Sequence, residues 1–433
     1  MSIMLTLAHR LQRAQETYRQ RDLSFFLVMR FFSEVAALSQ AVAIGWTIYQ
    51  FSNAPLSLGI VGLVEFVAMT LLMLPAGEFC DRGQPRRVLA AGLALQMLCA
   101  CGFLTLTWMH LSRLWPFYTL VVLSGMGRAF AEPASQALLP LLVPPERLPP
   151  AIAWSSSAWQ VAVIAGPALG GLAYGFGPTT AYAVCCGGFL AALLAAEAVA
   201  GRRSVPVNVS ALGGRLFRIQ EGMRFVRSRP VLLGAISLDL VSVLLGGATA
   251  LLPIYARDIL HAGPMGLGLL SSAPALGASL IALHQARHPP ERRVGLQLFA
   301  AVAVFGVATI VFALSTSLVL SLAALFVVGA ADMVSVNIRS ALVQLATQDA
   351  LRGRVSAVNM LFVGASSELG AFESGLLASL IGTVPSVVVG GVGALLAAAV
   401  WILLFPALRG ADRIAPGDSC LKSLLSVGVA PGG

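Results

Sequence analysis

Ten ionisable side chains stand inside or beside stretches of this chain that are otherwise apolar: Arg30, Glu34, Glu65, Arg128, Glu132, Asp239, Asp332, Arg339, Glu368 and Glu373. Insertion scales put the cost of such a charge at the centre of a membrane-spanning helix at about 2.5–3.5 kcal/mol, so a partner or a function must compensate it. Two kinds of chemistry suit these residues. Opposite charges can join helices as ion pairs, and Arg128 and Glu132, four apart, fall on one helix face where they can neutralise each other. A carboxyl group that water scarcely reaches can instead take up and release a proton near neutral pH, as proton coupling requires. Arg30, Glu34, Arg128, Glu132, Asp239, Asp332 and Glu368 are assigned to a proton-coupling or substrate cavity. For Asp239 and Asp332 coupling is the preferred reading; Arg128 and Glu132 fit either role. Glu368, beside Ser366 and Ser367, fits a cavity lining or a helix crossing.

The elements that must carry these residues follow from composition. Hydrophobic residues make up 58% of the 433 and charged residues 11%, where a soluble domain has about 25% charged. Such a chain belongs in a bilayer. Runs of about 20 apolar residues are spanning-helix candidates, and twelve occur: roughly 23–49, 57–77, 87–109, 115–143, 151–175, 178–200, 231–255, 265–285, 294–314, 318–345, 355–380 and 385–406. The short alternating strands of a membrane barrel are missing from the pattern, so the expected fold is all-α. Of the 28 Lys and Arg, 23 fall at the termini and in the even-numbered loops, while Arg113 and Arg257 lie on the opposite side. That skew predicts cytoplasmic N- and C-termini. It also argues against nucleic acid as a partner, because the +9 charge is scattered between apolar runs and forms no single basic face.

The expected organisation is a basic N-terminal segment over 1–22, six spans over 23–200, a basic linker over 201–230, six more spans over 231–408 and a tail over 409–433. The N-terminal segment reads as preceding a retained membrane anchor and not as a cleaved leader. In the linker, Leu216, Ile219, Met223 and Val226 are spaced for an amphipathic helix on the membrane surface, held by anionic lipid. The six cysteines, including the Cys185–Cys186 pair, read as small apolar packing residues.

The two sets of spans are copies. Shifted by 204, Ala137 falls on Ala341, Leu138 on Leu342, Leu141 on Leu345, Ala153 on Ala357, Gly166 on Gly370 and Gly171 on Gly375. A shift of 209 sets Ser57–Ile60 on Gly266–Leu269. A period near half the chain means one large unit used twice, and paired membrane halves are a transporter plan. Under these shifts Arg30 maps to Asp239 and Arg128 to Asp332, so each Arg of the first half has an acid as its counterpart in the second.

Between the second and third spans runs GEFCDRGQPRR, Gly77–Arg87. It resembles the G-x-x-x-D-R-x-G-R-R signature of the major facilitator superfamily, with Gly77, Asp81, Arg82 and Arg86 in matching places. Gln84 and Pro85 depart from that pattern. The resemblance implies a conformational latch made of Gly77, Asp81, Arg82, Arg86 and Arg87. GPALGG, Gly166–Gly171, resembles the antiporter signature of exporter branches. Its Gly166, Pro167, Gly170 and Gly171 are expected to form a helix-packing hinge, since small residues beside a Pro kink let helices approach closely. RAFAEPASQALLPLLVPPERL (Arg128–Leu148), LPIYARDIL (Leu252–Leu260) and RGRVSAVN (Arg352–Asn359) are similar to the enterobactin-exporter-like branch of that superfamily. The likeness runs from about Arg30 to Phe405.

The resemblance implies the major facilitator fold, twelve helices in two pseudo-symmetric six-helix halves, acting as a monomer. It also implies proton-coupled export of an amphipathic organic compound, siderophore or drug-like, across a bacterial inner membrane. Phe31, Phe32, Trp46, Trp154 and Trp159 fit an apolar cavity wall or ordinary packing. The expected partners are the small-molecule substrate, protons and the lipid bilayer. No cofactor, metal site or catalytic residue is expected, because the His residues are scattered, Lys422 is the only Lys, and no nucleophile constellation or phosphate-binding glycine loop is present. Import of a nutrient and a transporter-derived sensor are the competing readings.

Overall fold

The computed structural model describes residues 2–81, 85–199, 212–288, 293–347 and 349–410. Every regular element among them is helical. The chain runs α1 (Ser2–Ser52), α2 (Pro55–Asp81), α3 (Pro85–Trp108), α4 (Leu114–Leu142), α5 (Leu148–Gly175), α6 (Pro178–Ala198), α7 (Leu212–Arg227) and α8 (Pro230–Leu245). It continues with α9 (Leu252–Ile254), α10 (Gly263–Arg287), α11 (Val294–Leu314), α12 (Leu318–Ala346), α13 (Asp349–Ile381), α14 (Thr383–Leu404) and α15 (Pro406–Arg409). Helical stretches stand at all twelve expected spans. Nine of them, among the described residues, are long and apolar enough to cross a membrane. The stretches α4, α5 and α13, at the other three positions, are 29, 28 and 33 residues long.

Two elements depart from the sequence expectation. The basic N-terminal segment and the first span form one continuous 51-residue helix; no Pro, and no Gly before Gly45, interrupts it. The seventh span is broken. After α8 the chain passes Gly246 and Gly247, makes a 3-10 turn over Ala248–Leu251, then α9, and ends in a π-helical turn over Tyr255–Ile259. The break has a packing cause. A Cβ on Gly247 would lie 2.3 Å from the Gly370 carbonyl oxygen of α13, so only glycine admits that approach.

The chain divides into two compact units, residues 1–47 with 67–209 and residues 48–66 with 210–433. In the first, α3 packs against α4 and α6, over a core that includes Phe26, Met29, Leu93, Leu138 and Ala192. In the second, α10 and α11 pack on α12, and α14 on α11, around Leu232, Leu238, Leu298, Ile338 and Leu342. The linker helix α7 forms as its spacing predicts. Its buried Val226 and the neighbouring Phe225 join the second unit's core; Leu216 and Ile219 have side chains outside the described residues.

Candidate functional site

In the first unit, α1 and α4 bring four of the predicted charges together. Arg30 of α1 reaches Glu132 of α4 through both terminal nitrogens, at 3.2 and 3.3 Å, and donates a third bond to Ser135 at 3.2 Å. The two-nitrogen fork is the strong geometry for an Arg–carboxylate pair. Glu132 thus pairs across helices, with Arg30, and also accepts from Gln136 at 3.2 Å. Glu34, one turn beyond Arg30, and Arg128, one turn before Glu132, line the same cavity with Gln96 of α3. Glu34 is close enough to feel the charges of Glu132, Arg128 and Arg30. The space is about 30 Å³, room for one or two waters.

The second unit repeats the plan with the signs exchanged. Asp239 of α8 meets Arg339 of α12 at 3.2 Å, with side-chain exposures of 6% and 3%. Asp332, two turns before Arg339 on α12, lies within electrostatic reach of both. Among the described residues two carboxylates and one guanidinium make up this cluster, so a single proton brings these three to neutrality. Arg339 is the residue to which sequence reasoning gave no site role. Its counterpart under the 204 shift is Ser135, which accepts from Arg30, a contact that the sequence does not show. Glu368 lies against α2, where a Cβ on Gly62 would lie 3.6 Å from its Oε2.

At Gly166–Gly171, α5 packs closely on α1. A Cβ on Gly170 would lie 2.6 Å from the Ser39 carbonyl oxygen, and one on Gly166 would lie 2.8 Å from the Leu38 Cβ. Ser39 closes the contact by donating to the Gly166 carbonyl at 2.7 Å, and Pro167 and Gly171 are buried beside it in α5. Of the expected latch, Arg86 bonds Glu197 at the end of α6, at 2.6 Å to its carbonyl and 3.1 Å to its carboxylate. Arg87 is exposed. Gly77 lies in the last turns of α2 and Asp81 ends it, with the Asp81 side chain outside the described residues, and Arg82 lies outside them entirely.

A further polar cluster in the second unit went unforeseen. Tyr49 donates to the Asp258 carboxylate, and Arg257 donates to Asn53 at 2.7 Å. Arg257 also pairs with Asp258 at 3.6 Å and sits 5.3 Å from the Tyr49 ring centroid. The signals in the sequence were Arg257 itself, one of two basic residues on the sparsely charged side, and the shifts of 209 and 204 that relate Tyr49 to Asp258 and Asn53 to Arg257.

Residues 16–430 match the protein-family model described as a transmembrane secretion effector, of the major facilitator superfamily. The chain belongs to that family. This transporter is 24% identical over 387 residues to the enterobactin exporter of Citrobacter koseri, covering 88% of this chain and 91% of that one. It is 24% identical over 272 residues to macrolide efflux protein A of Streptococcus pyogenes, covering 60% and 66%. Its fold matches the crystal structure of a bacterial homologue of the lysosomal transporter Spinster at TM-score 0.69 and 14% identity, covering 96% and 99%. The transporter is therefore a multi-pass membrane protein of the major facilitator fold, with relatives named for efflux.

Proposed function

We propose that the protein is a secondary exporter that moves an amphipathic organic compound out of the cytoplasm in exchange for inward-moving protons. The observation that carries this reading is the Glu34, Arg128 and Arg30–Glu132 arrangement around a space of water size. Charged groups beside a space of water size can exchange protons with the water it holds. The Asp239, Asp332 and Arg339 cluster is a second group whose charge one proton neutralises. Export is favoured by the GPALGG segment and by the names of the enterobactin and macrolide relatives. The protein then lies in a bacterial inner membrane with both termini in the cytoplasm, consistent with the side that holds the basic loops.

The test is uptake into inverted membrane vesicles with an imposed pH gradient, using erythromycin and a catecholate siderophore, for wild type and Asp332→Asn. Gradient-driven uptake that the substitution abolishes supports proton-coupled export with Asp332 on the coupling path. Uptake that survives makes Asp332 a structural charge. Uptake only in right-side-out vesicles overturns export in favour of import.

A further inference from the structure

Ser33, Gln40 and Thr47 recur every seven residues on α1, which sets them on one face, two turns apart. All three belong to the first unit, and each faces a different polar neighbour. Ser33 lines the charged cavity and donates to the Arg30 carbonyl at 3.1 Å. Gln40, buried, donates through Nε2 to Ser124 of α4 at 3.3 Å. Its Oε1 is shut away from bulk solvent with no protein donor. The Thr47 hydroxyl lies 3.0 Å from the hydroxyls of Tyr174 on α5 and Tyr182 on α6, in a buried cluster. From Ser33 to Thr47 the face runs about 21 Å at 1.5 Å per residue, against about 30 Å for a bilayer's hydrocarbon core.

Burying these groups is costly unless they are bonded, and Leu or Val would fill the same space without that cost. A buried amide oxygen without a protein donor is a site for ordered water. Arg30 Nε, at the other end of the face, is likewise buried without a partner. Unpaired groups at Gln40 and at the cavity, with hydroxyls beyond, are what a chain of hydrogen-bonded waters requires on its walls.

We propose that this face of α1 bounds a water-bearing file that conducts protons between the Thr47–Tyr174–Tyr182 hydroxyls and the Arg30–Glu132 cavity. A proton delivered at the hydroxyl end passes along the waters beside Gln40 and Ser124, each O–H bond breaking as the next forms. It comes to rest on the carboxylate of Glu34 or Glu132. Gln40 is a positioning residue in this scheme and holds the water at the middle of the path. The inference rests on the proton-coupled reading above, and its test separates the two.

The full-length protein in liposomes is exposed to brief hydroxyl-radical labelling in ¹⁸O-water, with wild type, Gln40→Leu and Gln40→Asn compared. A dye inside the liposomes records proton movement when erythromycin is added. Tyr182 is closed to bulk solvent, so its labelling in wild type reports bound water. That labelling and the proton signal are expected to be lost in Gln40→Leu and kept in Gln40→Asn, which retains the amide. Ser124→Ala serves as the second variant if Gln40→Leu does not fold, with partial loss of both signals expected. An unlabelled Tyr182 in wild type overturns the file, as does proton movement at the wild-type rate in Gln40→Leu. Erythromycin movement without protons in wild type instead overturns the coupled reading, and the labelling still decides the file.

Discussion

Asp239 and Arg339 form an ion pair at 3.2 Å, at the positions whose counterparts in the first unit, Arg30 and Ser135, share a hydrogen bond of 3.2 Å. The helix contact is kept and the charge is exchanged. Burial makes the pair sensitive to losing one member, since an unpaired buried charge costs about 3–5 kcal/mol. Arg339→Met alone is expected to lower the unfolding temperature in detergent well below wild type. Arg339→Met combined with Asp239→Leu is expected to recover part of that loss, because the pair is removed whole and Asp332 is the carboxylate of the cluster that stays behind. Equal losses in the single and double variants would show that the pair does not act as a pair.

The same two shifts account for how much was legible in advance. Gly166 packs on Val35 and Gly370 on Leu244, residues related by the 204 and 209 shifts, so the repeat foretold which helices touch. The spans were legible because a bilayer admits few backbone solutions. Arg339 was hidden because the repeat conserves position and not charge, and its counterpart is an uncharged serine. The break after Leu245 was hidden because Gly246–Gly247 looks like ordinary small-residue packing until the carbonyl of Gly370 stands against it. The Tyr49–Asp258 and Arg257–Asn53 bonds join residues 209 and 204 apart, the repeat shifts themselves, but a shift does not say which counterparts touch each other.

Glu34 lines the small cavity beside the Arg30–Glu132 pair, and Glu34→Gln imitates its protonated form in nearly the same volume. If its proton is part of the exchange, the variant cannot release one. Accumulation of erythromycin against a gradient should then be lost, while exchange of labelled for unlabelled compound at equal pH should persist. Measuring both in the same vesicles checks this. Loss of both would mean that Glu34 serves binding or folding, and retention of both would remove it from coupling.

Gly170 and Gly187 make a matched pair of probes. A Cβ at Gly170 would fall 2.6 Å from the Ser39 carbonyl oxygen and 2.7 Å from the Ser39 Cα, and backbone cannot swing aside as a side chain does; one at Gly187 meets nothing within 4 Å. Gly170→Ala is expected to cost about 1–3 kcal/mol by forcing α1 and α5 apart. Gly187→Ala, within helix α6, is expected to be neutral or stabilising by about 0.4–1 kcal/mol. Thermal unfolding of the two variants in one detergent tests the contrast. A neutral Gly170→Ala would mean that the α1–α5 contact is looser than its geometry.

Tyr49, Asn53, Arg257 and Asp258 tie the end of α1 and the turn before α2 to the π-helical turn after α9. Asn53 holds that turn at φ 49°, a conformation Asn tolerates better than most residues. Arg257 contributes in three ways, through the bond to Asn53, the pair with Asp258 and the Tyr49 ring. Arg257→Ala should therefore loosen residues 48–58 more than Tyr49→Phe, which removes one hydroxyl. Loss of about 1.4 kcal/mol of local stability corresponds to tenfold faster amide exchange, and that is the size expected for Arg257→Ala. Hydrogen exchange followed by mass spectrometry on the peptide over 48–58 measures it, with the α3 core as an internal reference. Equal acceleration in both regions would signal global unfolding, and no acceleration in either would show that other contacts hold the turn.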